Sequence, residues 1–316
     1  MTDTRSGVLA MLAACTLWGL APLFFSTLSH VPPAEVMAHR VLWSMVLFSG
    51  FLGWQGRLAA LREAYATPAA TWRTVFSSLF VSSNWFLFIY AVFVGRTTEA
   101  ALGYYIFPLV AVVLGVVVYG ERLSRGQWAA VGLAAAGVVW LTLGLGQAPV
   151  ISLILAVTFG LYGMVKKGLT IGPVVSVTAE TFVLILPAVA YLIWLALQGQ
   201  GVFGRDLTTS LLLAASGIQT ALPLILFSRA AQRIAYSTVG LIQYINPTLQ
   251  FLCAVFILSE PFGSVQVVAF SMIWTALAIY SGLGFARDRA RRKSAMASSA
   301  EAPVSTNPKS DGSAKP

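Results

Sequence analysis

The chain has 316 residues, 58% of them hydrophobic and only 10% charged, against roughly 25% charged in a usual soluble domain. A water-soluble globule of this length cannot hide so much apolar surface, whereas a bilayer accepts it. Net charge is +9, but the basic residues stand between apolar stretches, which reads as membrane topology and not as nucleic-acid binding.

Residues 1–6 form a short cytoplasmic N-terminus carrying Arg5. The apolar stretch 7–27 comes next. Arg5 would suit a signal peptide, but no small-x-small cleavage site follows and many further apolar segments do, so the stretch reads as a retained first helix. Nine more spans are expected at 34–54, 74–94, 98–118, 126–144, 149–165, 173–196, 209–228, 237–258 and 264–285, each near the ~20 residues that cross a hydrocarbon core. Gly- and Ala-rich runs such as 131–139 favour close helix packing. Residues 286–316 are basic, then rich in Ser, Ala and Pro, which predicts a disordered cytoplasmic tail. Cys15 and Cys253 lie far apart inside apolar stretches and carry neither a disulfide framework nor metal-ligand spacing.

Orientation follows from the charges. With both termini in the cytoplasm, that side receives every Lys and Arg except Arg96 and Arg205, which fall outside, and Arg40, which lies within the second span. The fold class is therefore all-α integral membrane, with ten transmembrane helices and a multi-pass place in the cell inner membrane.

Residues 91–140 lie on 230–279 without gaps at a constant offset of 139. Tyr105, Ile106, Pro108, Glu121 and Gln127 then meet Tyr244, Ile245, Pro247, Glu260 and Gln266. Trp18-Gly19 pairs with Tyr162-Gly163 in the first helix of each unit. Residues 7–145 thus form one five-helix unit and 149–285 its repeat. An odd number of spans per unit turns the second copy upside down, and inverted repeats with a site at their interface are a design of secondary transporters.

Polar groups inside a membrane usually face the bundle interior or a cavity. Here they are His39 and Arg40 in the second span, Asn84 in the third, Glu99, Tyr104 and Tyr105 in the fourth, and Glu180 in the seventh. Gln219 and Thr220 in the eighth span and Gln243, Tyr244, Asn246 and Gln250 in the ninth complete the set. Pro108 and Pro247 interrupt the ladders of the fourth and ninth spans, and each frees a carbonyl. Arg40 either binds an anionic group or pairs with Glu35 or Glu99. His39 either relays a proton or is a satisfied structural histidine. Glu180 is either protonated in an apolar setting or paired with Arg40 or His39 across the repeat interface. Trp18, Trp85, Tyr104, Tyr105 and Tyr244 either line a pathway or pack. Asn84-Trp85 and Gln243-Tyr244, each an amide beside a ring, are the stronger pathway candidates. Glu121-Arg122 reads as a loop ion pair or cap. No phosphate-binding Gly-rich loop, His-Glu-x-x-His or Gly-x-Ser-x-Gly motif is present, so nothing supports an ATP-driven pump or a hydrolase.

Several segments together carry a family resemblance: Trp18-Gly19, His39-Arg40-Val41-Leu42-Trp43-Ser44, Asn84-Trp85-x-Leu87-Phe88-Ile89 and Glu99-Ala100-x-Leu102-Gly103-Tyr104 in the first unit, closed by Gly120-Glu121-Arg122 and Gln127-Trp128. The second unit adds Tyr162-Gly163, Lys166-Lys167, Glu180-Thr181, Ser237-Thr238-x-Gly240 and Gln243-Tyr244-Ile245-x-Pro247-Thr248. Over about residues 5–285 the chain resembles the EamA-like permeases of the drug/metabolite transporter superfamily, and within them the RarD family, often called chloramphenicol-sensitive permeases. The resemblance implies ten helices, a pathway between the repeats and transport of drugs or metabolites without ATP, with efflux as the direction. The family commonly has Asn-Pro in the fourth helix, as Asn246-Pro247 has in the ninth; here Phe107 precedes Pro108.

The expected function is a permease for a small organic solute, working by alternating access among membrane lipids. Proton coupling through Glu180, His39 or Glu99 and facilitated diffusion are equally compatible with the residues. No cofactor is expected. The rival readings are a lipid or lipid-carrier flippase, a non-transporting sensor or scaffold, and, with only two histidines and no nucleophile cluster, an integral-membrane enzyme.

Overall fold

A computed structural model describes residues 2–120, 123–167, 171–231, 233–234, 239 and 242–300. Glu121-Arg122 and Ser237-Thr238-x-Gly240 lie outside the described residues.

The described chain is helical: α1 (Thr2–Gly19), α2 (Ala21–Ser26), α3 (Pro33–Trp54), a 3₁₀ helix (Leu58–Tyr65), α4 (Pro68–Phe93), α5 (Thr97–Tyr119), α6 (Arg125–Leu145), α7 (Val150–Lys167), α8 (Pro173–Leu197), α9 (Leu207–Ala231), α10 (Ile245–Leu252) with a π turn (Cys253–Ile257), and α11 (Ser264–Ala300). Among the described residues, eight helices are long and apolar enough to cross a membrane, and Val150–Lys166 and Ile245–Ile257 are shorter apolar helices. Helix therefore occurs within each of the ten expected ranges.

Local chemistry sets the ends. Pro33, Pro68 and Pro173 open α3, α4 and α8 at the position where a missing N–H does no harm. Thr67 accepts the Ala70 amide, and Ser124 with Gln127 forms a reciprocal capping box on α6. Gly120 and Gly146 close α5 and α6 in the left-handed conformation, at φ 65° and 66°, which suits a residue without Cβ.

Three boundaries differ from expectation. The first span is broken at Leu20 into α1 and α2, because Pro22 cannot supply the amide that would continue the ladder. Pro247 does not interrupt a helix: α10 starts at Ile245 after a turn at Tyr244, so the proline sits in a first turn. α11 continues past 285 to Ala300, where a disordered stretch was expected; Ala, Arg, Lys and Met in this segment are strong helix formers. Residues 301–316 of that tail lie outside the described residues.

The exterior is apolar, with Leu143, Val117 and Leu186 at least three-quarters exposed, while polar groups such as Asn84, Ser77 and Glu180 are buried. This inside-out distribution suits a lipid surround. α5, α6, α10 and α11 share one core around Tyr105, Phe251 and Phe270. A second core joins α2, α3, α4, α5, α7 and α9 around Phe25, Phe88 and Leu213. α1 packs on α9 and α10, α4 on α7 and α8, α5 on α7, and α3 on α8 and α9. Residues from both halves of the chain therefore build every core.

Candidate functional site

The α3 helix crosses α9 at Gly217. A Cβ there would lie 2.5 Å from the Trp43 Cβ and 2.6 Å from its carbonyl carbon, so only glycine permits this approach. The close crossing brings Arg40, 5% exposed, against Thr220, whose hydroxyl accepts a hydrogen bond from Arg40 Nε at 2.7 Å. From α4 the Trp85 ring comes within 4.5 Å of the guanidinium carbon, and from α2 the Phe25 ring within 5.4 Å. Trp85 is itself held by Phe48, Val177 and Ala221, drawn from α3, α8 and α9.

Arg40 pairs with neither Glu35 nor Glu99, correcting that expectation. Glu35 Oε1 accepts the Val202 amide at 2.7 Å from the α8–α9 loop. Glu99 is tied to Arg96, one turn away. Arg40 Nη1 is buried with no hydrogen-bond partner among the described residues. A cation near the middle of a helix costs about 2.5–3.5 kcal/mol on insertion scales. Each desolvated ring contact, at Trp85 and at Phe25, returns about 2 kcal/mol or more of that, but neither supplies a counter-charge.

The same stretch of α3 holds further orphan groups. His39 stacks on Phe203 at 4.7 Å, and both its ring nitrogens are buried without partners, so it is not a satisfied structural histidine. Trp43 Nε1 and Ser44 Oγ are likewise buried and unpartnered. Phe203 belongs to the α8–α9 loop. Asp206 in that loop accepts the Thr209 amide at 2.7 Å, which holds its carboxyl below the usual range.

Glu180 lies elsewhere. It forms an ion pair with Lys166 of α7, not with Arg40 or His39. Ser77 of α4 donates to its Oε1, and the Tyr162 hydroxyl donates to Oε2 at 3.2 Å. Lys166 also reaches the Ser176 hydroxyl and lies 5.0 Å from the Tyr162 ring. The result is a neutralised junction of α4, α7 and α8. Tyr65 of the 3₁₀ helix backs it by donating to the Ala179 carbonyl at 2.7 Å; burial, then the Glu180 charge, pushes its phenol up.

The remaining candidates divide. Asn84 is saturated: it donates to the Leu155 carbonyl at 3.0 Å and to Thr158 at 3.2 Å, and accepts from Tyr104 at 2.9 Å. It braces α4, α5 and α7 and is separated in role from Trp85. Tyr105 meets Thr248 at 2.7 Å and packs on Phe270 and Trp274 in the core. Tyr244 packs on that same core. Asn246 accepts from Gln250 at 2.9 Å, and Gln243 is half-buried. Trp18 lies against Phe227. Pro108 stands inside α5 as expected. Gln219 donates to the Leu17 carbonyl at 2.7 Å, beside the break after α1. Among the described residues no three His, Cys, Asp or Glu stand together to hold a metal ion.

Arg40 and Trp85 are expected from the sequence, whereas Thr220 as the arginine's partner, Lys166 as the partner of Glu180 and Phe203 as the cover of His39 are not. Thr220 was visible as an intramembrane hydroxyl, and Lys166 as a basic residue. Phe203, in a loop, gave no signal.

The model of the EamA-like transporter family matches residues 5–143. Protein RarD of Streptomyces exfoliatus is 42% identical over 88% of this chain and 88% of its own. Protein RarD of Escherichia coli is 40% identical over 88% of this chain and 94% of its own. A Vibrio cholerae protein named only as an uncharacterized transporter is 37% identical over 92% of this chain and 97% of its own. One solved crystal structure, 21% identical, shares the fold with a TM-score of 0.58 over 88% of this chain and 98% of that one.

Proposed function

The chain belongs to the RarD family of EamA-like transporters, and from that premise we propose that it is a secondary, non-ATP permease for small organic solutes in the cell inner membrane. Both termini face the cytoplasm, and two inverted five-helix repeats, 7–145 and 149–285, exchange conformations around a site between them. The packing supports this exchange. Swapping the halves turns the α1–α9 contact into α4–α7, α3–α9 into α4–α8, and α5–α7 into α1–α10, while α3–α8, α5–α10 and α6–α11 map onto themselves. Alternating access needs such a pairing, since each half can then take the other's shape.

The observation that carries the reading is Arg40, a buried cation held by α2, α3, α4 and α9 together with orphan donors on its own helix. Intramembrane ionisable groups in such settings mark solute or ion pathways. His39, with two free ring nitrogens, is the group best placed to couple a proton; Glu99 and Glu180 already have cationic partners. Purified protein in liposomes, loaded with pooled drugs and metabolites, is expected to exchange at least one class faster than empty vesicles. No exchange of any class would remove the reading.

A lipid flippase is the second reading. A groove between the 3₁₀ helix and α8, lined by Leu61, Arg62, Tyr65, Phe182 and Val183, favours it. Scrambling of a fluorescent phospholipid by the same vesicles distinguishes it.

A further inference from the structure

We infer that Arg40 receives the anionic end of the solute, so that the permease carries small organic anions: a carboxylate, or an oxyanion of similar flat shape, joined to an apolar or aromatic body. This rests on the permease reading above.

Three observations lead there. First, Arg40 is 5% exposed and bound through Nε to the neutral hydroxyl of Thr220, leaving Nη1 without an acceptor. Second, every carboxylate of α3, α5, α8 and the α10–α11 turn has a partner other than Arg40, although the Oε2 atoms of Glu35 and Glu99 are buried without one. Glu35 takes the Val202 amide, Glu99 takes Arg96, and Glu180 takes Lys166. Glu260 takes the Thr97 and Thr98 amides. Among the described residues, then, no carboxylate neutralises Arg40. Third, the neighbouring orphans on α3 include donors, the Trp43 indole N–H and the Ser44 hydroxyl, with His39 able to donate from either nitrogen.

Neutral oxygens can accept from a buried guanidinium, as Thr220 does, but only an anion both fills the acceptor place and cancels the charge. A neutral solute would leave the charge uncompensated, and a cation would be repelled. The guanidinium edge offers paired N–H groups that match the two oxygens of a carboxylate. The rings beside the charge favour an organic acid over a bare inorganic ion. Trp85 and Phe25 flank the charge, and both continue into apolar packing around Phe48, Val177, Phe88 and Ile89. Such apolar surroundings suit a ring or chain attached to the acid.

The test uses the full chain in phosphatidylcholine vesicles, with benzoate and indole-3-acetate as probes. Benzamide, indole-3-acetamide and benzylamine are their neutral and cationic counterparts. Uptake of the acids above empty vesicles, with none of the amides or the amine, is expected. Arg40→Gln should lower acid uptake at least tenfold, and Arg40→Lys should retain part of it. If amides or amine enter as well as the acids and Arg40→Gln carries them unchanged, the anion assignment fails while transport stands. If no probe or pooled solute crosses, transport fails, and the site is judged by melting temperature with each acid. A rise in the wild type that Arg40→Gln lacks keeps the anion site, and no rise ends it. Should Arg40→Gln not fold, Thr220→Val replaces it, with acid binding several-fold weaker expected. Binding seen only when phosphatidylglycerol is present would assign the cation to a lipid headgroup and overturn the solute class.

Discussion

Arg40 on α3 and Glu180 on α8 occupy the same register, each the eighth residue counted from the proline that opens its helix. Both are buried, and both meet a hydroxyl across the bundle: Thr220 of α9 for Arg40, Ser77 of α4 for Glu180. They differ in one respect. Glu180 is neutralised by Lys166, and Arg40 by nothing among the described residues. Opposite responses to charge removal follow. Lys166→Met strands a buried carboxylate and should cost about 3–5 kcal/mol. Arg40→Met removes an uncompensated charge, which offsets the lost Thr220 bond and ring contacts, so its stability should stay within about 1 kcal/mol of wild type. Thermal unfolding in detergent checks both. Equal losses for the two variants would mean that Arg40 has a counter-charge after all.

The Glu260 carboxylate closes the start of α5 by accepting the Thr97 amide at 2.5 Å and the Thr98 amide at 2.7 Å. These are orphan donors at a positive helix end, where an anion is favoured. The contact also ties the α10–α11 turn in the second half of the chain to the first half. Glu260→Ala should destabilise by about 1–3 kcal/mol. Hydrogen exchange should rise locally over residues 97–102. Unchanged protection there would show that the cap is dispensable.

The helices were legible because a bilayer imposes a length and a polarity on each one, and single residues set their ends: Pro33, Pro68 and Pro173 at starts, Gly120 and Gly146 at stops. The interior was legible only as an inventory. Composition marks Asn84 and Trp85 alike as polar or aromatic residues in one span, yet they part: the amide is saturated by α5 and α7, and the ring faces Arg40. Which face of α4 meets which neighbour is decided by crossings such as that at Gly217, and those involve contacts between residues far apart in the chain. The Lys166–Glu180 pair was hidden for a related reason. A lysine at a span end satisfies the topology rule by itself, so nothing in the charge pattern asks for a partner.

Two glycines should respond in opposite ways to the same change. Gly217→Ala places a methyl against Trp43 backbone, which cannot rotate away. It should cost about 1–3 kcal/mol by forcing α3 from α9, and it should weaken whatever Arg40 and Thr220 bind together. Gly132 of α6 has no neighbour within 4 Å of an added Cβ. Gly132→Ala should be neutral or stabilise by up to about 1 kcal/mol, from helix propensity alone. Melting curves of the pair, measured with solute flux, check the α3–α9 crossing directly. Equal behaviour of the two variants would remove it from the account of the site.

The α8–α9 loop covers the Pro33 end of α3 through two contacts of different character. The Val202 amide bonds to Glu35, and the Phe203 ring stacks on His39 and leans on Trp43 at 6.2 Å. Phe203 is nearly half exposed while His39 is only 4% exposed, so the ring shields the imidazole. Phe203→Ala should open that cover with little loss of stability, because a half-exposed ring contributes only part of its burial energy. Diethylpyrocarbonate should then modify His39 several-fold faster, read by mass spectrometry of the peptide spanning residues 33–54. His30, whose Nε2 lies 3.1 Å from Thr209 Oγ1, serves as the internal standard. A ligand seated on Arg40, one residue from His39, should slow the modification again. If the rate at His39 is the same with and without Phe203, the loop is not what keeps reagent from this end of the site.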